Sequence, residues 1–288
     1  MKKFLKNCAY FFVLPSILIG LVLLLLGYKN YKQFDHYTLK SDVTSVYAGD
    51  SHVQLSIDDK IIPHSINVSQ SGEPYCFTYI KIKNIVKNNP SVHDVYLGFS
   101  YHSLSSSNDD FIFGKFCSDI SAKYFFILPN SEKLKFVKLN SNHLIKYLRN
   151  IVKKSMKKAY TSNSYNHFKH TSANQKSMDK RIIFQFYSEG QLDTFSKSNV
   201  YYLQKIIELC NRKKINLVML NAPLHSYYKS KIPIKFIKKY DDFIDVNHLK
   251  TMDLTGLVLN DSCYIPDGDH VSKKGSLITS QYIATHYK

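Results

Sequence analysis

Short apolar runs alternate with longer amphipathic stretches along the chain from about Asp42 onwards. Strands are predicted for DVTSVYAG, HSINVSQ, DVYLGFS, RIIFQFY (181–187), INLVMLNAP and FIDV (243–246). Helices are predicted for Pro74–Asn88, Lys197–Arg212 and Lys273–His286. Because buried strands that alternate with helices form parallel sheets covered on both faces, the pattern predicts an α/β fold for residues 42–288.

A charge-free apolar run, Ala9–Tyr28, precedes this pattern. As a helix its twenty residues would extend about 30 Å, which matches the hydrocarbon core of a bilayer. Lysines lie on both sides, within residues 1–8 and at Lys29 and Lys32. The positive-inside rule favours a cytoplasmic segment 1–8, a transmembrane anchor 9–28, a linker 29–41 and an exported domain. A cleaved signal peptide is the alternative.

One strongly basic segment, residues 131–181, interrupts the alternation and is interpreted as an insertion. Five of its apolar residues fall on one helical face: Leu144, Leu148, Ile151, Val152 and Met156. Basic residues occupy the rest of that helix: Lys146, Arg149, Lys153, Lys154, Lys157 and Lys158. Residues 161–177 have the composition of a loop. The helix either packs on the sheet with a solvated basic face or faces anionic lipid or polymer.

Composition and charge narrow the class of protein. Hydrophobic residues make up 44% of the 288 residues and charged residues 21%, which is ordinary for a globular chain and excludes general disorder. The formal net charge of +17 favours anionic partners, such as lipid head groups, acidic polysaccharide or nucleic acid. A membrane anchor and an exported domain disfavour nucleic acid. Cys76, Cys117, Cys210 and Cys263 lack metal or redox spacing, so disulfides and buried thiols both stay open.

A first candidate for chemistry is Gly49-Asp50-Ser51-His52, directly after the strand that ends in VYA. A serine at a strand-to-helix turn lies exposed above the carboxyl end of a sheet. A helix that starts there directs backbone N–H groups at a developing oxyanion. Since a hydroxyl alone is a weak nucleophile, Ser51 requires a positioned base.

A second candidate supplies that base in Pro266-Asp267-Gly268-Asp269-His270, before the last predicted helix. A carboxylate three residues before an imidazole, across a glycine turn, is able to bind Nδ1–H and leave Nε2 for the nucleophile. Asp269 is a second candidate for the same role. We predict Ser51, Asp267 and His270 as a catalytic triad.

These two motifs together resemble those of the SGNH, or GDSL, hydrolase superfamily. The resemblance implies a flavodoxin-like three-layer α/β/α fold with a parallel central sheet. It also implies that the backbone N–H groups of Ser51 and Gly72 form an oxyanion hole. The family's third block, Gly-x-Asn-Asp, reads Gly98-Phe99-Ser100-Tyr101-His102 here, so its asparagine is missing. Ser100 or His102 would have to donate instead, and His52, His102 and His225 are candidates for contact with substrate.

The Gly49–His52 opening, the stretch APLHSYY (222–228) and the single anchor are similar to one branch of the superfamily. That branch comprises membrane-tethered proteins that acylate bacterial cell-surface polymers. The resemblance implies O-acetyl transfer or ester hydrolysis on a cell-surface glycan through an acyl-serine, on the outer face of the bacterial cytoplasmic membrane. No metal or organic cofactor is implied, and no H-E-x-x-H ligand set occurs.

Two other functions stay open. The chain is alternatively a catalytically weak glycan-binding or assembly partner of an integral membrane acyltransferase. The basic amphipathic helix motivates a third hypothesis, in which the chain is a lipase or thioesterase that acts on lipid acyl chains.

Overall fold

A computed structural model describes residues 2–155 and 172–287 of the chain. These residues fall into two compact units. The helical unit comprises the described residues between Met1 and Tyr37 and between Ser118 and Ala159. The α/β unit comprises the described residues between Thr38 and Cys117 and between Tyr160 and Lys288.

Within the described residues the α-helices are α1 Lys2–Asp35, α2 Ser51–Ser56, α3 Tyr75–Asn88, α4 Cys117–Tyr124, α5 Asn130–Leu139, α6 Leu144–Ser155, α7 Gln175–Phe186, α8 Lys197–Lys213, α9 Ser226–Ser230, α10 Ile234–Val246 and α11 Lys273–His286. The strands are β1 Ser45–Ala48, β2 Ser65–Asn67, β3 Asp94–Gly98, β4 Tyr187–Ser188, β5 Gln191–Leu192, β6 Asn216–Asn221 and β7 Lys250–Asp253. Short 3₁₀ turns lie at Tyr101–Leu104, Ser106–Phe111, Phe125–Ile127, Ser141–His143 and Asp261–Cys263.

The α/β unit is built on a parallel sheet of five strands in the order β2-β1-β3-β6-β7. This order matches that of flavodoxin-like folds. Val46, Leu97 and Leu220, on the three central strands, are fully buried. Helices flank the sheet: α11 packs with α2, and α3 packs with α8. The predicted α/β class with a parallel sheet is therefore confirmed.

Two strand predictions are wrong. In both segments, apolar residues that recur at helical spacing have other apolar residues between them and so form a nearly continuous apolar run. Residues 181–187 mostly belong to α7, whose buried residues Met178, Ile182 and Phe186 recur at intervals of four. Residues 243–246 end α10, where Phe236, Tyr240 and Phe243 are buried at helical spacing. The edge strand β7 gave no apolar signal, since Met252 alone of its four residues is buried.

The helical unit contains α1, which is long and apolar enough between Tyr10 and Asp35 to cross a membrane. The helix continues through the predicted linker to Asp35, past the predicted boundary at Tyr28. It packs against the Phe125–Ile127 turn and against α6. Gly27 lies against Phe126, where a Cβ atom would meet the aromatic ring at 2.9 Å.

The segment predicted as an insertion divides between the two units. Its first part forms α5 and α6 in the helical unit, and its last residues open α7 in the α/β unit. The predicted apolar face of α6 also divides. Ile151 is buried beside Tyr147, whereas Leu144 and Leu148 are exposed. Met156 and most of the predicted loop 161–177 lie outside the described residues.

The four cysteines between Cys76 and Cys263 are buried free thiols: Cys76, Cys117, Cys210 and Cys263. Burial raises the pKa of Cys210 to about 12, so that thiol is held protonated and unreactive at neutral pH.

Candidate active site

Ser51 begins α2 immediately beyond the carboxyl end of β1. The turn needs Gly49, whose φ of 144° is one that side chains rarely tolerate. Gly98 at the end of β3 is equally restricted, because a Cβ there would lie 2.5 Å from Cγ2 of Val53. Asp50 caps α2 by accepting from the backbone N–H of His52 at 2.9 Å. Two glycines and one cap thus fix the direction in which Ser51 points.

The structure brings the three predicted triad residues together. Ser51 Oγ lies 2.7 Å from His270 Nε2, and His270 Nδ1 lies 2.8 Å from Asp267 Oδ2. The other oxygen of Asp267 accepts from the backbone N–H groups of Asp269 and His270, each at 3.1 Å. This is the order of contacts that lets an imidazole take a proton from a serine hydroxyl.

The choice between Asp267 and Asp269 follows from distance and from partners. Asp269 Oδ2 is 3.9 Å from His270 Nδ1, well beyond the 2.8 Å of Asp267. Although burial opposes it, the neighbouring His270 lowers the pKa of Asp267, so this carboxyl group is ionised at neutral pH. Asp267 is the group placed to orient His270.

Asp269 belongs instead to a buried polar network under the triad. Its carboxylate receives Arg181 Nε at 2.7 Å and Gln185 Nε2 at 2.8 Å, both from α7. The same carboxylate lies 2.7 Å from His52 Nε2. Against the effect of burial, His52 and Arg181 hold the pKa of Asp269 well below its usual range. The network therefore joins α2, α7 and the loop that carries His270.

His52 forms the centre of this network. Its second ring nitrogen, Nδ1, lies 3.3 Å from Asp50 Oδ1. Burial alone would lower the pKa of His52, but the Asp269 and Asp50 carboxylates raise it to about 10. Its ring stacks on that of His270, with centroids 4.7 Å apart and 20° between the planes. His52 is thus a buried imidazolium that supports the ring of the candidate base.

Ser100, which stands where the SGNH pattern has an asparagine, immediately precedes the 3₁₀ turn Tyr101–Leu104. The backbone N–H of Ser100 already donates to Ser103 Oγ at 2.9 Å, so it does not point a free donor at Ser51. His102 Nε2 lies 3.1 Å from Asp50 Oδ2, and its ring is 4.4 Å from that of His52. Burial and the His52 cation lower the pKa of His102. His102 thus contacts the turn that carries Ser51.

Gly72 lies in a loop that is fixed on both sides. Its φ of 67° is in the left-handed region, and the neighbouring Gln70 N–H donates to Gly49 O at 3.0 Å. The backbone N–H of Ser71 donates to Gln54 Oε1 at 2.8 Å. On the other side, Glu73 forms a fully buried ion pair with Lys81 at 2.7 Å. These contacts hold the Gly72 loop beside the Ser51 turn.

His225, a candidate for contact with substrate, has structural partners. Its Nδ1 caps α9 by accepting from the Tyr227 N–H, and its Nε2 lies 3.1 Å from Asp261. Its backbone N–H donates to Gly268 O at 2.9 Å. His225 therefore steadies the turn between Asp267 and His270.

Metal-ligating side chains are also close together here. Asp50, His52 and His102 form one group whose ligand atoms lie within 4.8 Å of one another, and His52, Asp269 and His270 form another. Both groups share His52, whose two nitrogens are engaged by carboxylates at 2.7 and 3.3 Å. A metal bound at either group would have to displace one of these pairs.

Arg181 and Gln185 were not found from the sequence, because residues 181–187 were predicted as a strand. In a strand, Arg181 and Gln185 would point to the same face of the sheet. They would not lie within one helix turn of each other or of Met178 and Ile182. The missed signal was the helical spacing of buried residues from Met178 onwards, which places Arg181 and Gln185 one turn apart.

No model of a known protein family matches the chain, and no curated protein does either. Among solved structures, the chain is similar to a GDSL-like lipase from Bacteroides thetaiotaomicron VPI-5482. The identity is 11% and the TM-score 0.40, over 90% of this chain and 95% of that one.

Proposed function

We propose that the chain is a serine-dependent esterase or O-acyltransferase, held at a membrane by α1. The observation that carries the proposal is the contact of Ser51 Oγ with His270 Nε2 at 2.7 Å, while Asp267 engages the other ring nitrogen at 2.8 Å. The two ends of this arrangement come from motifs 219 residues apart, so local sequence does not bring them together.

In the proposed reaction, Ser51 Oγ attacks the carbonyl carbon of an acyl ester while its proton passes to His270 Nε2. Asp267 stabilises the imidazolium that forms. The backbone N–H groups of Ser51 and Gly72 are the proposed donors to the oxyanion. When the tetrahedral intermediate collapses, the C–O bond to the alcohol breaks and the alcohol takes the proton from His270. Water or a sugar hydroxyl then attacks the acyl-serine by the reverse sequence of proton transfers.

We propose that the substrate is a glycan at the bacterial cell surface, either as the acylated donor or as the acceptor of the acyl group. Support comes from the resemblance of Gly49–His52 and residues 222–228 to the membrane-tethered proteins of polymer acylation. An apolar helix that is able to span a membrane is compatible with this place. We propose that the α/β unit lies on the exported side.

The test is Ser51→Ala in the full chain, purified in detergent. We expect kcat/KM for p-nitrophenyl acetate to fall by about 10³-fold or more, and labelling by a fluorophosphonate to disappear. Ser230→Ala, which removes an exposed hydroxyl that binds only its own helix in this structure, is the matched control and should retain both signals. Undiminished labelling of the Ser51→Ala protein would contradict the proposal.

One observation favours a second candidate, a glycan-binding or assembly partner of an integral membrane acyltransferase. The third-block asparagine is absent, and the Ser100 N–H is used within its own turn. A partner of this kind would bind acetylated glycan, or co-purify with the acyltransferase, equally well with and without Ser51→Ala, and the wild-type chain would show no turnover.

A further inference from the structure

Helix α6 in the helical unit carries several apolar side chains that the described residues leave wholly or partly exposed. Ile145 is 86% exposed, and its neighbours Leu144 and Leu148 are 40% and 37% exposed. Two more leucines of the same unit, Leu134 and Leu139 on α5, are also exposed. Contiguous exposed apolar side chains of this size mark surfaces that interact with a partner or a membrane.

The exposed side of α6 is divided between apolar and cationic residues. With about 100° between successive residues, Leu148 and Ile145 follow one edge of the buried face that is formed by Tyr147 and Ile151. Three exposed cations follow the other edge: Lys146, Arg149 and Lys153. An apolar strip beside a strip of Lys and Arg is the pattern of helices that lie in the interface of a bilayer.

The position of α6 along α1 agrees with such an interface. Within the helical unit, Phe126 contacts α1 at Gly27, where its ring takes the space of a side chain. The next residues are Tyr28, which ends the charge-free run, and Lys29, which is the first charge after it. Tyr and Lys at the end of an apolar helix mark the level of the lipid head groups. Since α1 also packs on α6, the unit is held at that level.

A groove at the start of α6 has the chemistry of a phosphate site. Its volume is about 580 Å³, its lining is mainly apolar, and Ser141, Asn142, Lys146 and Arg149 are among the residues that line it. Ammonium, guanidinium, hydroxyl and amide donors are the groups that bind phosphate oxygens. Ile145 lines the same groove, so an apolar chain attached to the phosphate would have a surface to follow.

We infer that α6 docks onto the surface of a bilayer that contains anionic phospholipid. The apolar strip enters the boundary of the acyl chains, and Lys146 and Arg149 bind lipid phosphate in the groove. The inference rests on the proposed anchoring by α1 but is independent of the proposed ester chemistry. Charge complementarity between the +17 chain and an anionic surface acts in the same direction.

The test uses the absence of tryptophan from the natural sequence. Ile145→Trp places a single tryptophan on the apolar strip, and Lys153→Trp places one on the cationic strip as the matched control. Each full-length variant is reconstituted into bilayers of phosphatidylcholine with phosphatidylglycerol, and into phosphatidylcholine alone. Fluorescence quenching by lipids brominated on their acyl chains reports the depth of each indole.

We expect the Ile145→Trp emission to be blue-shifted and quenched at least about twofold more than that of Lys153→Trp in the anionic bilayer. The difference should shrink in phosphatidylcholine alone and on adding Lys146→Gln with Arg149→Gln. Equal quenching of the two variants in the anionic bilayer would overturn the inference. A difference between them that is the same with and without phosphatidylglycerol would also overturn it. Repeating the measurement with Ser51→Ala keeps this outcome separate from that of the ester chemistry.

Discussion

Asp267 and Asp269 lie two residues apart, yet their partners give them different tasks. Asp267 contacts the ring nitrogen of His270, whereas Asp269 pairs with two cations, the buried His52 and the partly buried Arg181. A carboxylate that orients a base affects the rate of reaction. A carboxylate that pairs buried cations affects the free energy of unfolding, because its removal leaves those charges uncompensated.

Substitution to asparagine should separate these two tasks. We expect Asp267→Asn to lower kcat by about 10³- to 10⁴-fold with little change in melting temperature, since the ring of His270 loses its orienting anion. Asp269→Asn should instead destabilise the fold by about 3 kcal/mol or more. Ester turnover and thermal unfolding of both variants, measured side by side, check this. The reverse assignment of the two effects would show that Asp269 is the orienting acid.

His52 is a buried cation whose charge depends on pH in a predictable direction. Its pKa is raised from 6.5 to about 10 by Asp269 and Asp50, against the cost of burial. A group whose pKa is raised on folding stabilises the protein fully below the pKa of the unfolded chain. That stabilisation is lost as the pH rises through the pKa of the folded state. The window for His52 therefore runs from about pH 6.5 to about pH 10.

We expect the free energy of unfolding of the wild-type chain to fall more steeply than that of His52→Gln across this window. The difference in slope should approach about 1.4 kcal/mol per pH unit. Denaturant unfolding of the full chain in detergent, followed by circular dichroism at several pH values, measures it. His286→Gln, at an exposed histidine in α11, controls for the loss of an imidazole. Parallel curves for wild type and His52→Gln would show that His52 carries no charge in the fold.

At the scale of elements, the sequence predicts best where local chemistry and tertiary packing agree. The predicted helix 273–286 is present with the same bounds, and Ser272 caps it by accepting from the Gly275 N–H. The predicted strands β1, β3 and β6 are also present, since strands buried on both faces are mainly apolar. The parallel sheet and the approach of Ser51 to His270 both follow from these elements.

The elements that were predicted wrongly contain many apolar residues, but only those on one face of the helix are buried. In α7 the run RIIFQF leaves Ile183 59% exposed and buries Ile182, which a count of apolar residues does not distinguish from a strand. That error concealed Arg181 and Gln185, and with them the partners of Asp269. The buried network under the triad was therefore not predictable, although each of its histidines had been noted.

At the scale of the whole molecule, the retention or cleavage of α1 decides between an anchored protein and a secreted one. We expect the full chain to stay with membranes after extraction at alkaline pH, and its intact mass to include residues 1–37. The physical reason is the length and apolar character of α1, with the helix continuing to Asp35. Recovery of a soluble protein that starts near residue 29 would show instead that the apolar run is a cleaved signal peptide.

The distance along the chain between Ser51 and His270 also determines when the two residues are able to meet during synthesis. Because 219 positions separate them, the hydroxyl group has no base while most of the polypeptide is still being synthesised. Its neighbour His52 is equally without Asp269 until then. In the proposed mechanism, a nascent chain therefore carries Ser51 without its base, and we expect reactivity only once the turn at residues 266–270 has packed against the Gly49–His52 turn.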